Sequence, residues 1–254
     1  MRIENFVLAF SVLFASQAAG QPSDSAATPP ENKTPSQSDL GLMSSPGFTA
    51  ETLLRQDVAG HDGEPIGEVI NFEIGDDNAI QRVLINSDGF LGIDETVIAV
   101  PYEAINLTVD EDGIRANIEE DDTDAYSIFG PQERGSTPAP APGFRVSSLL
   151  GDNVLLKGGD EFGYLADLAF DLEGRLQAVI VRPDISFDAE GYYAFAFERA
   201  DVGGEAFDPS AASYTLSLDR DAVLEEEAFD YDAYQKAGVL KSQTTEQAPK
   251  ASSQ

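Results

Sequence analysis

Residues 53–85 read LLRQDVAGHDGEPIGEVINFEIGDDNAIQRVLI, and residues 149–181 read LLGDNVLLKGGDEFGYLADLAFDLEGRLQAVIV. The second stretch aligns with the first without a gap at an offset of 96 residues. Glycines coincide, as in Gly67 on Gly163, and so do apolar positions, as in Val83 on Val179, whereas most charged positions differ. The repeat is longer than the roughly 20–50 residues of a solenoid unit, so it predicts two small domains in tandem that share a backbone rather than an active site.

Short strands are the secondary structure that this pattern favours. The runs alternate apolar and polar residues and are separated by Gly/Asp/Asn turns, which is typical of strands joined by tight turns. The predicted strands are 68–74, 80–85, 97–100, 105–109 and 114–118 in the first repeat, and 164–170, 176–181, 191–197 and 213–218 in the second. Strands of this number and length suit a small closed barrel, which leaves no unpaired edge. The predicted fold is therefore all-β, with two small β-barrels in tandem.

Composition divides the chain further. The ends and the stretch between the repeats are rich in Pro, Ser, Ala and Gln and poor in large apolar residues, so they cannot offset the entropy lost on ordering. The predicted segments are a signal peptide at 1–20, a disordered linker at 21–47, a first domain at 48–128, a Pro/Ala-rich linker at 129–143, a second domain at 144–235 and a disordered tail at 236–254.

The N-terminus predicts export. A short apolar run, Phe6–Ala15, is followed by the small residues Ala18-Ala19-Gly20, a plausible cleavage site before Gln21. The run is shorter than the roughly 20 residues of a spanning helix, so no integral membrane span is expected after cleavage. The chain has no Cys, which excludes disulfides and thiolate chemistry and fits a bacterial periplasm better than a eukaryotic secreted protein. An uncleaved anchor in the inner membrane is the alternative.

Net charge excludes one class of partner. Residues 51–235 hold 41 acidic and 10 basic residues, and the whole chain carries −31. Such a field repels phosphate backbones, so nucleic-acid binding is not expected. The charge serves either solubility or a response to cations such as Ca²⁺, which would bind weakly because the acidic run Asp110–Gly113 lacks the spacing of a calcium loop.

A family resemblance rests on the first repeat. The order Gly63-Glu64-Pro65-Ile66-Gly67-Glu68-Val69, then Gly89-Phe90-Leu91-Gly92-Ile93, then Ala99-Val100-Pro101 resembles the PRC-barrel domain over about residues 52–118. The second repeat keeps the opening as Gly159-Asp160-Glu161-Phe162-Gly163 but diverges later. The resemblance implies two PRC-barrel-like domains, the second divergent, used for protein–protein docking or assembly and without a shared catalytic site.

Candidate contacts with a protein partner lie where the repeats disagree. Phe90, Leu91 and Ile93 stand in a glycine-flanked loop, where they either plug the barrel or form an exposed apolar contact. Tyr192 falls on the opposite face of its strand from Tyr193, Phe195 and Phe197, which favours an exposed position for it.

Catalytic, cofactor and metal sites are not predicted. His61, the single histidine, lies in a Gly-rich turn, and no motif places a nucleophile beside a base. The chain is therefore expected to be a non-enzymatic, exported protein-binding module. A cation-responsive envelope protein and, more remotely, a carboxylate-based hydrolase are the alternatives.

Overall fold

The structure, a computed structural model, describes residues 41–45, 47–87, 96–110, 113–118, 126, 143–197 and 211–240. The strands are β1 (Phe48–Thr49), β2 (Asp57–Ala59), β3 (Pro65–Gly75), β4 (Ile80–Ser87), β5 (Thr96–Pro101), β6 (Ile105–Asp110), β7 (Gly113–Ala116), β8 (Gly143–Arg145), β9 (Asn153–Leu155), β10 (Glu161–Phe170), β11 (Leu176–Pro183), β12 (Tyr193–Ala196) and β13 (Ser213–Thr215). The helices are α1 (Ala50–Leu53), α2 (Arg220–Leu224) and α3 (Tyr231–Ala237), and 3-10 turns span Tyr102–Ala104 and Val146–Ser148.

Two curled sheets make up the protein. The first follows the order β5-β4-β3-β2-β7-β6 and the second the order β12-β11-β10-β9-β13. The all-β, tandem barrel-like fold is therefore confirmed. Among the described residues neither hydrogen-bonded path returns to its first strand, so each sheet is a half-barrel rather than the closed barrel that the strand count suggested. Residues 1–40 and 241–254, which make up most of the predicted signal, linker and tail, and most of the Pro/Ala-rich linker lie outside the described residues. The described ends of the predicted linker and tail carry buried side chains, Leu42 and Leu240.

The strand pairing repeats at the same offset as the sequence. In the first sheet Val58 of β2 pairs with Gly67 of β3, and in the second Val154 of β9 pairs with Gly163 of β10. The bulges that bend the long strands also coincide, since β3 is irregular between Val69 and Asn71 and β10 between residues 165 and 167. The shared backbone that the alignment predicts is thus present.

Close approach of two strands explains one glycine pair. A Cβ placed on Gly67 would lie 2.0 Å from the carbonyl oxygen of Asn86, and one on Gly163 would lie 2.1 Å from that of Arg182. Any larger residue would push the neighbouring strand away, so both repeats require glycine at this position.

The segment that opens each repeat pairs with the other repeat. Strand β1 pairs with β10 through Phe48 and Phe170, although β1 precedes the first repeat. Strand β8, which precedes the second repeat, pairs with β3 through Phe144 and Ile74. Phe48 and Phe144 are 96 positions apart, as are Ile74 and Phe170. The exchange is therefore reciprocal.

The two long hairpins also meet at their turns. The Ile80 N–H donates to the Gly174 carbonyl at 2.9 Å, and the Leu176 N–H donates to the Asn78 carbonyl at 2.8 Å. Between these bonds Ala79 and Arg175 form an antiparallel bridge, and these two residues are themselves equivalent in the repeat. A local twofold axis therefore passes through this bridge.

The larger hydrophobic core of the described residues contains side chains from both repeats. The Phe170 ring of β10 stacks on Phe48 and meets the edge of Phe72 of β3, with ring centroids 5.5 Å apart in each pair. All three rings are fully buried. Tyr193 and Phe195 of β12 point into the same core, as their alternation predicts, and both rings meet the Phe162 ring.

Candidate functional site

The edge of the first sheet holds the segment in which partner contacts are predicted. Strands β4 and β5 form a hairpin in register from Ser87↔Thr96 to Arg82↔Pro101. The predicted contacts Phe90, Leu91 and Ile93 lie between these strands, outside the described residues, so their role stays a prediction. Within the described residues β5 pairs with β4 alone. We call β5 the open edge.

Tyr192, the fourth predicted contact, lies at the corresponding edge of the second sheet. Its ring is half-buried, and its centroid is 4.6 Å from that of Tyr231 in α3. The Phe229 N–H donates to the Tyr192 carbonyl at 2.6 Å, and the Arg182 guanidinium carbon is 5.8 Å from the ring centroid. Neighbours from the C-terminal segment thus pack on Tyr192. A contact with a partner at this residue remains a prediction.

A buried polar cluster lies next to Tyr192, and sequence reasoning did not find it. Asp167 of β10 is 1% exposed. Its Oδ1 accepts hydrogen bonds from the Glu51 N–H at 3.0 Å and the Leu168 N–H at 2.8 Å, and its Oδ2 accepts one from the Tyr231 hydroxyl at 2.6 Å. Glu51 and Gln235 complete the set, which we call the Asp167 cluster.

Local structure places each member of this cluster. Helix α1 carries Glu51 and begins at Thr49, whose hydroxyl accepts from the Thr52 N–H at 3.3 Å. Helix α3 carries Tyr231 and Gln235 one turn apart and begins at Asp230, whose carboxylate accepts from the Ala233 N–H at 3.0 Å. Such caps satisfy N–H groups that a helix leaves without partners, so even these short helices have fixed starts.

Burial dominates the electrostatics of the cluster. It raises the pKa of Asp167 to about 6, although hydrogen bonds from Tyr231, Thr49 and two backbone N–H groups act in the opposite direction. Burial and the facing carboxylates of Asp167 and Glu51 raise the pKa of Tyr231. The tyrosine therefore keeps its proton, whereas Asp167 titrates near neutral pH.

The equivalent site in the first sheet is neutral. Asn71 stands where the second sheet has Asp167, and its Nδ2 donates to the Ser147 hydroxyl at 2.7 Å. Its Oδ1 accepts from the Phe72 N–H at 2.9 Å, as Asp167 accepts from Leu168. In the alignment the Asn71/Asp167 difference looks like one of many charge changes on a surface, because the burial of Asp167 cannot be read from the strand pattern.

Other candidate chemistry is limited in the described residues. The His61 side chain is exposed, and the backbone N–H of this residue donates to the Ile118 carbonyl at 3.1 Å. Within the described ranges no group of three or more Asp, Glu or His side chains is arranged to hold a metal ion. No helix in those ranges is long and apolar enough to cross a membrane.

Comparison with known proteins supports the resemblance for the first repeat. No curated protein sequence matches the chain. The family model of the PRC-barrel domain matches residues 46–122, which include β1 to β7. This part of the chain is therefore similar to the PRC-barrel domain, a small β-barrel module, as the motifs in residues 63–101 predict.

Proposed function

We propose that this chain is a non-enzymatic protein-binding or assembly module that acts after export, in the periplasm or at the cell envelope. Its second repeat is, in this proposal, a divergent copy of the PRC-barrel-like first repeat. The observation that supports the proposal is the open edge of the first sheet, because function is argued from such a site rather than from the fold.

The open edge suits a partner that adds a strand. Within the described residues β5 is bonded on one side by β4, and its Val97 side chain is half-buried. An extended peptide can pair with such an edge through main-chain hydrogen bonds, and pockets for its alternate side chains can supply specificity. At the second sheet Tyr192, the residue before the edge strand β12, already pairs with Phe229 in an antiparallel bridge. The first sheet is therefore the better docking site.

Charge defines the chemistry of the partner. The chain carries −31, and this excess lies in residues 51–235. A basic protein or peptide would be attracted to it, and association would slow as salt screens the charges.

Export is supported by the N-terminal residues. Phe6–Ala15 followed by Ala18-Ala19-Gly20 has the order of a cleavable signal. Fractionation of cells that produce the full chain, with mass spectrometry of the product, tests this. A mature N-terminus at Gln21 in the periplasmic fraction is expected, whereas an intact Met1 in the membrane fraction would favour the anchored alternative.

Photo-crosslinking in the producing cells tests the docking site. A photoreactive residue placed at Phe90 or Val97 should give the same crosslinked band, because Val97 lies on the open edge and Phe90 is a predicted contact in the segment that leads into it. The matched control is Ile70 of β3, an apolar residue 44% exposed that lies away from the edge. A band of equal strength from Ile70, or no band from Phe90 and Val97, would contradict the docking site. Phe90→Asp should weaken the Val97 crosslink, whereas Ile70→Asp should not.

A further inference from the structure

The Tyr231 hydroxyl lies at hydrogen-bond distance from two carboxylates, Asp167 and Glu51, and has a single proton to donate. The Tyr231 hydroxyl oxygen lies 2.6 Å from Asp167 Oδ2 and 2.8 Å from Glu51 Oε2. A hydroxyl has one proton to donate, so one of these two contacts lacks a donor if both carboxylates are ionised. Two oxygen atoms at hydrogen-bond distance with no proton between them repel each other, and at the buried Tyr231–Asp167 contact water screens this repulsion little.

The neighbouring donors do not remove this deficit. Gln235 Nε2 lies 2.7 Å from the Tyr231 oxygen and 3.2 Å from Glu51 Oε2, so it donates on the Glu51 side of the cluster. Asp167 accepts from two backbone N–H groups at Oδ1 and also from the Thr49 hydroxyl, and none of these donors supplies a proton between the tyrosine oxygen and a carboxylate. A second proton on Asp167 completes the set: Asp167 then donates to the tyrosine oxygen, and the tyrosine donates to Glu51.

We propose that the Asp167 cluster binds one exchangeable proton and that this proton fastens helix α3 to strand β10 and helix α1. Without it, two carboxylates face one hydroxyl, and α3 is released from the second sheet. The cluster is thus a proton-sensitive clasp for the C-terminal segment.

When α3 is fixed by this proton, it covers apolar side chains of the second sheet. The Tyr231 and Tyr234 rings of α3 pack over small and aliphatic side chains on the outer face of the second sheet, and Leu42 joins them. The residues of that face are Ala169, Ala178, Ile180 and Ala194. Release of α3 would uncover this face.

Ionisable groups reach the cluster from each of the elements packed around it. Helix α1 contributes Glu51, helix α3 contributes Tyr231 and Tyr234, and Arg182 of β11 lies over the ring of Tyr192, which in turn packs on Tyr231. The cluster itself thus faces carboxylates and phenols. Burial raises the pKa of Asp167 to about 6. The proton is therefore held below about pH 6 and lost above it.

Hydrogen exchange of the full-length protein tests the clasp. Protection factors of the amides in residues 231–240, which correct for the intrinsic pH dependence of exchange, should fall by roughly tenfold to a hundredfold between pH 5 and pH 7.5. Asp167→Asn should abolish this fall and keep α3 protected throughout, because the amide donates to the tyrosine oxygen as the protonated acid does. The matched control is Asp232→Asn, an exposed acid in the same helix, which should leave the fall unchanged.

A second variant keeps the test decisive if Asp167→Asn does not fold. Glu51 is exposed, so Glu51→Gln should fold, and its amide removes the competing carboxylate. The midpoint of the pH transition should then move to lower pH by at least half a unit. Native protection that does not change with pH, or a transition that Asp167→Asn and Glu51→Gln both leave in place, would overturn the proposal.

Discussion

Replacement of Phe170 by alanine tests whether the two repeats share their stability. The Phe170 side chain is fully buried in β10 and touches rings from the opening segment and from the first sheet, Phe48 and Phe72. Truncation of a buried phenylalanine to alanine costs about 3–5 kcal/mol, because transfer free energy is lost and a cavity remains. Loss of the stacked and edge-on ring contacts places Phe170→Ala toward the upper end of that range.

Urea unfolding followed by far-UV circular dichroism measures this loss. With a slope of about 2–3 kcal/mol per molar urea, the midpoint should fall by about 1–2 M. Because the core is shared, native and variant should each unfold in one transition, and exchange protection should fall in strands of both sheets, for example β4 and β11. Leu172→Ala is the control, since that side chain is 52% exposed and should change the midpoint little.

Separate behaviour of the repeats would refute this reasoning. If the chain unfolds in two steps, and Phe170→Ala lowers the step of β10 and β11 while β3 and β4 keep their native protection, the repeats are energetically independent. The Phe48–Phe170 and Phe72–Phe170 contacts would then contribute little across the two sheets.

Three other outcomes are expected. A protease site can be introduced between Gly130 and Pro142 and the folded chain cut there. The two pieces should elute together at the mass of the intact protein, because β1 and β8 are exchanged between the sheets. Separate elution would contradict the exchange. From pH 4 to pH 7 the unfolding free energy of Asp167→Asn should rise relative to that of the native protein by up to about 3 kcal/mol. A carboxyl whose folded pKa is raised to about 6 stabilises the fold below its unfolded pKa, and this contribution is lost as pH rises through the folded pKa. A difference that does not change with pH would refute the buried position of Asp167. Millimolar Ca²⁺ should raise the melting temperature no more than other salts at the same ionic strength, since screening alone acts on a surface of dispersed carboxylates; a larger rise would favour the cation-responsive alternative.

The strands and their duplication could be predicted because both are local. Long strands such as β3, β4 and β10 carry an apolar pattern over many residues, and the turn between β3 and β4 has its Gly-Asp-Asp-Asn signal. Some observed strands extend the predicted ones, as in Pro65–Gly75 for the predicted 68–74, and others are shorter, as in Tyr193–Ala196 for the predicted 191–197. Short strands of two or three residues, such as β1 and β8, are too brief to show a pattern.

The exchange of segments could not be predicted because its choice of partner is not local. Phe48 could pair beside Ile74 of its own repeat or beside Phe170 of the other, and the alignment treats these two positions alike. The burial of Asp167 could not be predicted for a related reason. Asp167 sits in the run Leu165–Phe170, where an acidic residue in a strand is ordinarily a solvent-facing one.

The twofold arrangement within one chain has a consequence for how its surfaces can differ. In a dimer of identical subunits each substitution appears on both sides of the axis. A covalently joined pair escapes this constraint, and the Asn71/Asp167 positions show the result: a neutral amide on one side and a titratable acid on the other. A symmetric dimer with the acid would bury two carboxylates and bear the desolvation cost twice. Of these two equivalent positions only one carries the acid, so a single protonation event can act on one sheet and leave the other unchanged.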